Sequence, residues 1–195
     1  MRGRRGAGLA LLLAGGALLG WSGVAYGRGA LARDRARAEW ERLEARRAVV
    51  AATLAAGGAP LAAPGPGAPI ARILVPRVGI DEVVVQGVGG KQLAAGPGHI
   101  PGTPMPGQRG NSVLSAHRDR HFMALEGVQP GDTIATESEY GNVTWVVTRR
   151  RILPKTARLP VASDGPRLTL TTCWPMRFLG AAPDRLVLTA EPVGK

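Results

Sequence analysis

The hydrophobic pattern changes character twice along the chain. After "MRGRR", residues 6–27 read "GAGLALLLAGGALLGWSGVAYG" without a single charge. As a helix rising 1.5 Å per residue, such a run extends roughly 33 Å, about the thickness of a bilayer's hydrocarbon core. Residues 30–56 then hold strong helix formers and neither Gly nor Pro. Trp40, Leu43, Arg47 and Val50 fall there at helical spacing, and a juxtamembrane helix over 28–56 is predicted. "GGAPLAAPGPGAP", residues 57–69, reads as a linker with no means of building a core.

From residue 70 the period shortens. Apolar, β-branched runs such as "ARILVP", "EVVVQ", "NSVLSAH", "DTIAT", "NVTWVVTRRRIL", "RLTLTTC" and "RLVLTA" recur between Gly/Pro clusters. Seven or eight short strands with almost no helical periodicity predict an all-β domain, an antiparallel barrel or sandwich, over 70–195. About 125 residues suffice for one sizeable core.

Charge settles the orientation of the N-terminal run more than it suggests a partner. Arg2, Arg4 and Arg5 favour keeping residues 1–5 in the cytoplasm, so that the remainder lies outside. Trp21 and Tyr26 stand near the far end, where amphipathic rings favour the interface. A cleaved signal peptide is the rival reading, with "ALA" at 30–32 as a cleavage site; the apolar run exceeds the usual 7–15 residues of such a peptide, which favours a retained anchor. The net charge of +11 invites a nucleic-acid reading, but aromatics are only 4% of residues and no helix carries a continuous basic stripe. The run Arg149-Arg150-Arg151 is read as a solvated strand end, and no nucleic-acid partner is expected.

Candidate chemistry centres on Cys173, the only cysteine. Alternation along "RLTLTTC" puts Leu168, Leu170 and Thr172 on one face and Thr169, Thr171 and Cys173 on the other. A lone cysteine is either a small core residue or a nucleophile. His117 closes the run "NSVLSAH" at the edge of a polar loop, where its ring can reach a barrel rim; His99 and His121 lie in neighbouring loops. Two arginines compete as partner of the thiol. Arg177 sits four residues past it; Arg185 opens the next strand, and an antiparallel pairing of 166–173 with 185–190 brings it back beside Cys173. There a guanidinium lowers the thiol pKa and donates to an oxyanion. A mixed zinc site of His117, Asp119, His121 and Cys173 is the alternative, though "HRDRH" lacks the glutamate of the zinc-protease pattern.

Three pieces in this order resemble the sortase family of cysteine transpeptidases. "TLTTC" at 169–173 matches the T-L-x-T-C signature, "GNSVLSAHRD" at 110–119 looks like the histidine segment, and Arg185, twelve residues after the cysteine, matches the arginine. The stretches "GPGHIPGTPMPGQRGN" and "HFMALEGVQPGDTI" are similar as well, so the resemblance covers about residues 70–191. Ala116 stands where many members have Gly, Trp174-Pro175 with the short loop after it resembles the sortases of Gram-negative bacteria in particular, and the acidic residues are too few for the calcium site of some relatives.

The resemblance implies a closed, mostly antiparallel barrel of about eight strands. It implies that Cys173 attacks the Thr–Gly bond of an LPxTG-like sorting signal on a secreted protein, forming a thioacyl-enzyme that an amine acceptor at the cell surface resolves. His117 would be general acid and then base, Arg185 would bind the oxyanion, and Thr172 and Ala116 would line the substrate groove. No cofactor and no metal is implied. The enzyme would sit in the cell (inner) membrane by a single pass, its catalytic domain outside the cytoplasm. A non-catalytic barrel adaptor and a metal-dependent hydrolase are the competing functions.

Overall fold

The structure is a computed structural model that describes residues 2–55, 64–159 and 161–194, with side chains over 11–45 in the first of these segments. Helix α1, Arg2–Ala55, runs unbroken through both predicted helical regions. Residues 57–63, most of the predicted linker, lie outside the described residues, as does residue 56 before it. Its end is drawn into the sheet: Gly67 N–H donates to Gln86 O at 2.8 Å, and strand β1 starts at Pro69. A proline is tolerated at the first position of a strand because it has no N–H to leave unpaired within the ladder.

The strands are β1 Pro69–Val75, β2 Ile80–Gln86, β3 Gly98–His99, β4 Asn111–Ser115, β5 Thr133–Ser138, β6 Gly141–Pro154, β7 Arg167–Trp174 and β8 Asp184–Pro192. They close in the order β1-β2-β3-β4-β7-β8-β6-β5. Two pairings, β2 with β3 and β4 with β7, are parallel; the other six are antiparallel. Closure removes every free sheet edge. The fold therefore matches the closed, mostly antiparallel barrel expected, and it decides against an open sandwich.

The short strand β3 and the helix α2, Gly90–Ala95, fall where only a Gly/Pro loop is legible in the sequence. β3 depends on an absent side chain. A Cβ on Gly98 would stand 2.2 Å from the Gly87 carbonyl oxygen, so no other residue lets the backbone approach β2 so closely.

One core fills the barrel. Ile73, Val75, Leu114, Phe122, Leu125, Ile134, Trp145, Leu168, Leu170, Leu186 and Leu188 are wholly or almost wholly buried in it. Trp145 keeps its indole N–H satisfied by donating to Thr136 Oγ1 at 2.8 Å, as burial of that group requires. A second, smaller cluster lies between the barrel and α1: Ala36 and Trp40 pack on Val83 and Val85, with Ala95 of α2 against them. Of the helical stripe read from the sequence, Trp40 is buried and Leu43 is exposed; the side chains of Arg47 and Val50 lie outside the described residues.

The N-terminal part of α1 covers the stretch read as an anchor. Among the described residues, no helix is long and apolar enough to cross a membrane. Residues 6–10 of the predicted span lie outside the residues whose side chains are described. In the rest of it the apolar side chains Leu11, Leu12, Leu13, Leu18, Leu19 and Trp21 are all exposed.

Candidate active site

The site is built by a backbone ladder. β7 lies between β4 on one side and β8 on the other. Leu168 and Leu170 of β7 point into the core, and Cys173, of opposite parity, is exposed. The alternation read from "RLTLTTC" thus holds. Across the β7–β8 pairing Cys173 stands directly opposite Arg185, and Arg185 in turn stands opposite Leu153 of β6. Cross-strand partners have Cβ atoms about 5 Å apart on the same face of a sheet, so thiol and guanidinium share one face.

His117 arrives from the other neighbour. The parallel β4–β7 register ends with Ser115 opposite Thr171. Two further bonds carry it on: Ala116 N–H donates to Thr171 O at 3.3 Å, and Thr172 Oγ1 donates to Ala116 O at 2.8 Å. Continued by one more residue, the same register sets His117 level with Cys173. His117 is exposed. Its carbonyl receives the N–H groups of Arg120 at 3.4 Å and Phe122 at 3.3 Å, and Phe122 is fully buried, so a tight turn rooted in the core fixes the backbone beneath the imidazole. Cys173 and Arg185 therefore share a rung of β7 and β8, and His117 follows two residues after the end of β4, the strand on the other side of β7.

The other residues singled out from sequence are placed differently. Thr172 and Ala116 are buried, and they tie β7 to the end of β4 through the bond just described. Arg177 is exposed in the β7–β8 loop, off the rung. His121 turns away from His117, and its Nδ1 lies 3.3 Å from the carboxylate of Glu82 on β2. The zinc set of His117, Asp119, His121 and Cys173 is thereby divided between two places, and among the described residues no group of three such side chains is arranged to hold a metal.

Arg118, which sequence reasoning passed over, and Arg150, read there as part of a solvated strand end, shape the surroundings. Arg118 donates to the carbonyls of Pro175 at 3.2 Å, Phe178 at 2.8 Å and Gly180 at 2.8 Å, and its guanidinium lies 5.9 Å from the Phe178 ring centroid. It staples the β7–β8 loop to the histidine turn. Asp119 and Arg177 join these groups around an open cleft of about 400 Å³. Arg150, from the triple-arginine run, lies 5.5 Å over the Trp174 ring. Arg185 itself donates to Lys155 O at 2.5 Å and so holds the loop after β6 as well. The only signal for Arg118 was its place next to His117.

Two titratable groups elsewhere on the barrel are perturbed. His99 of β3 is buried, and loss of hydration pushes its imidazole below its ordinary value of 6.5, against the pull of its bonds to Pro104 and Thr103. Nε2 lies 2.9 Å from Pro104 O, which only accepts, so Nε2 carries the proton in the neutral ring. Asp81 of β2 is held below the usual carboxylate range first by its hydrogen bonds from Arg72, at 2.8 and 2.7 Å, which outweigh its partial burial.

Comparison with known proteins agrees with this geometry. The sortase domain family model matches residues 73–193. Sortase D of Bacillus subtilis is 29% identical over 121 residues, 61% of this chain and 61% of that protein, so the match spans less than two thirds of the relative's length. Among solved structures, a Clostridium perfringens sortase D5 transpeptidase superposes with a TM-score of 0.67 at 18% identity, covering 84% of this chain and 99% of that one. Sortase C-1 of Actinomyces oris superposes with a TM-score of 0.59 at 26% identity, covering 65% and 75%. None of these names supports the Gram-negative subgroup suggested by Trp174-Pro175. A closed barrel of this topology, with Cys173 and Arg185 paired across β7 and β8 and the family model matching most of the barrel, belongs to the sortase family.

Proposed function

We propose that the chain is a cysteine transpeptidase that cleaves an LPxTG-like sorting signal and transfers the acyl group to an amine. The observation that carries the reading is the register of Cys173 opposite Arg185, with His117 continuing the ladder on the other side. A cation beside a thiol favours the thiolate. In this reading the Cys173 sulfur attacks the threonine carbonyl carbon, and the new oxyanion takes hydrogen bonds from the Arg185 guanidinium. The tetrahedral species collapses with cleavage of the C–N bond, and His117, protonated, gives its proton to the leaving glycine amine. A thioester remains on Cys173. The incoming amine attacks it, now-neutral His117 takes the proton, and the sulfur leaves as thiolate. Thr172 and Ala116 lie beneath the substrate, fixing the spacing of the two strands that form the groove floor. The chain's own residues supply every proton and charge, and no cofactor enters.

Membrane anchoring belongs to the same proposal. The uncharged run at 6–27, its exposed leucines and the arginines before it support a retained single-pass anchor with the barrel outside the cytoplasm. A secreted protein carrying a sorting signal would meet the groove there, together with a surface amine. The Gram-negative subgroup rests on Trp174-Pro175 and the short following loop alone, so the reaction is argued only on the ladder shared by the family.

The test is mass spectrometry of the full chain after incubation with an LPxTG-type peptide. An adduct of the acyl fragment on Cys173, absent in Cys173→Ala, is expected. No adduct on the wild-type chain across a library of sorting-signal variants rejects the transpeptidase and leaves the non-catalytic adaptor. Activity retained after thiol alkylation but lost to a chelator favours the metal hydrolase.

A further inference from the structure

The turn that carries His117 has a second anchor outside the barrel. Residues 117–122 end in Phe122, which is fixed in the core, but Arg120 and His121 both reach toward α1. The Arg120 guanidinium lies 4.7 Å from the ring centroid of Tyr26. It crosses the helix where Gly29 has no side chain: a Cβ there would stand 2.8 Å from Arg120 Nη1. His121 and Glu82 are each 7% exposed. The Glu82 carboxylate accepts from Arg33 of α1 through both oxygens, Nε at 3.1 Å on one and Nη2 on the other, and faces His121 Nδ1 at 3.3 Å. One buried carboxylate thus joins the helix to the histidine turn. Tyr26, Gly29, Arg33, Glu82, Arg120 and His121 surround a cavity of about 310 Å³ at this junction. Next to Glu82, Asp81 accepts from Arg37 at its carbonyl oxygen at 2.6 Å, and one and two turns beyond Arg33 the buried Ala36 and Trp40 complete the docking.

A buried carboxylate needs its partners. Removing one leaves an uncompensated charge in a poorly solvated place, and the remaining groups must move to recover hydration. Here the groups concerned are carried by the backbone three and four residues after His117.

We propose that docked α1 is a positioning element for His117, acting through the Arg33–Glu82–His121 bridge and the passage of Arg120 over Gly29. The inference rests on the acid–base role assigned to His117 above. It makes Arg33, Glu82, His121 and Gly29 positioning residues, none of which touches substrate. Proton transfer then falls when the helix lifts away, while peptide binding, which uses the β4–β7 groove, stays. An acid–base group displaced by an ångström loses rate out of proportion to the shift.

Two variants disturb the bridge from different sides. Arg33→Ala removes the guanidinium, whose side chain is 42% exposed and lies outside the barrel core. Gly29→Leu drives a side chain into the path of Arg120 and leaves the bridge chemically intact. Both are made in the full chain, with Arg33→Lys as the conservative variant and Arg42→Ala, exposed on the same helix, as control. In Arg33→Ala and Gly29→Leu, kcat for an LPxTG-type peptide is expected to fall roughly tenfold with KM unchanged, and Arg33→Lys to recover most of it. The ring resonance of His117, identified among the three histidines by its loss in His117→Ala, is expected to shift in both. Wild-type kcat and an unmoved His117 signal in the two folded variants overturn the proposal, as does an effect confined to KM. If the wild-type chain forms no acyl-enzyme, the proposed reaction fails, and the His117 signal still decides whether α1 positions the turn.

Discussion

Two faces of this barrel hold chemistry in different ways. On β4, β7 and β8 the groups are set by backbone register: Cys173 and Arg185 are ladder partners, and Thr172 bonds to Ala116 across 56 residues of sequence. On β2 and α2 the helix α1 is held by long side chains, Arg33 reaching Glu82 across 49 residues, and by a small apolar patch around Trp40. A ladder fixes position to within the stagger of the strands and holds while either strand remains paired. A side-chain dock is adjustable and can open without unfolding the sheet. The candidate catalytic pair sits on the first kind of support, and the docked helix sits on the second.

The comparison is tested most severely on the ladder. Cys173→Ala should lower transpeptidation by roughly a millionfold, the scale of losing a nucleophile, with unchanged far-UV dichroism because the thiol is exposed. Arg185→Ala should cost roughly a hundredfold or more in kcat, and Arg177→Ala roughly threefold or less, since a loop cation off the rung gives only a screened surface effect. Equal small losses for the two arginines, in a steady-state assay, would mean that register does not decide which cation acts.

Next comes the dock. Trp40→Ala removes the largest buried side chain of the α1 contact and should lower unfolding free energy by about 3 kcal/mol. The rate of Cys173 alkylation should stay within about twofold, because the ladder that presents the thiol does not pass through α1. A variant as stable as wild type in denaturant titration would show that α1 gains nothing from Val83 and Val85. A smaller effect is expected where the two modes meet. Arg118 leaves the histidine turn by a side chain but grips three backbone carbonyls of the β7–β8 loop. Arg118→Ala should lower kcat/KM roughly tenfold, at about 1.4 kcal/mol for losing charged hydrogen bonds at a partly exposed site. No loss in a full progress-curve analysis would leave that loop irrelevant to the reaction.

What could be read from the sequence divides along the same line. The pairing of Cys173 with Arg185 was legible because side-chain alternation has a period of two and the chain returns after a short loop. His117 was legible as the end of an apolar run, and the T-L-x-T-C resemblance joined the pieces. β3 was not, because two residues inside a Gly/Pro stretch carry no period and owe their pairing to the missing Cβ of Gly98. Nor was the bridge from Arg33 through Glu82 to His121. In a chain with 25 basic residues, nothing local marks which arginine meets which carboxylate.

The smallest effect expected lies at the junction of the two faces. β3 is paired with β2, the docking strand, and with β4, the strand that leads to His117; His99 stands there opposite Gln86 and Leu114. Its ring is 1% exposed, and burial depresses its pKa below 6.5. The unfolded chain therefore takes up this proton more readily than the folded one. Stability from the neutral ring is fully present above the unfolded value and declines as pH falls from about 6.5 toward the folded pKa, by at most about 1.4 kcal/mol per pH unit for one group. The neutral ring donates from Nε2 to Pro104 O, and a second proton on Nδ1 would meet Gln86 Oε1 at 2.8 Å, so loss of hydration is what opposes charging the ring. His99→Gln keeps a polar group of similar reach but does not titrate. Melting temperatures of the two proteins should run parallel from pH 8 to about 7 and separate below, wild type falling faster. Curves that stay parallel down to pH 5 would show that His99 protonates freely in the folded barrel, and the joint between docking face and ladder would then be looser than its burial implies.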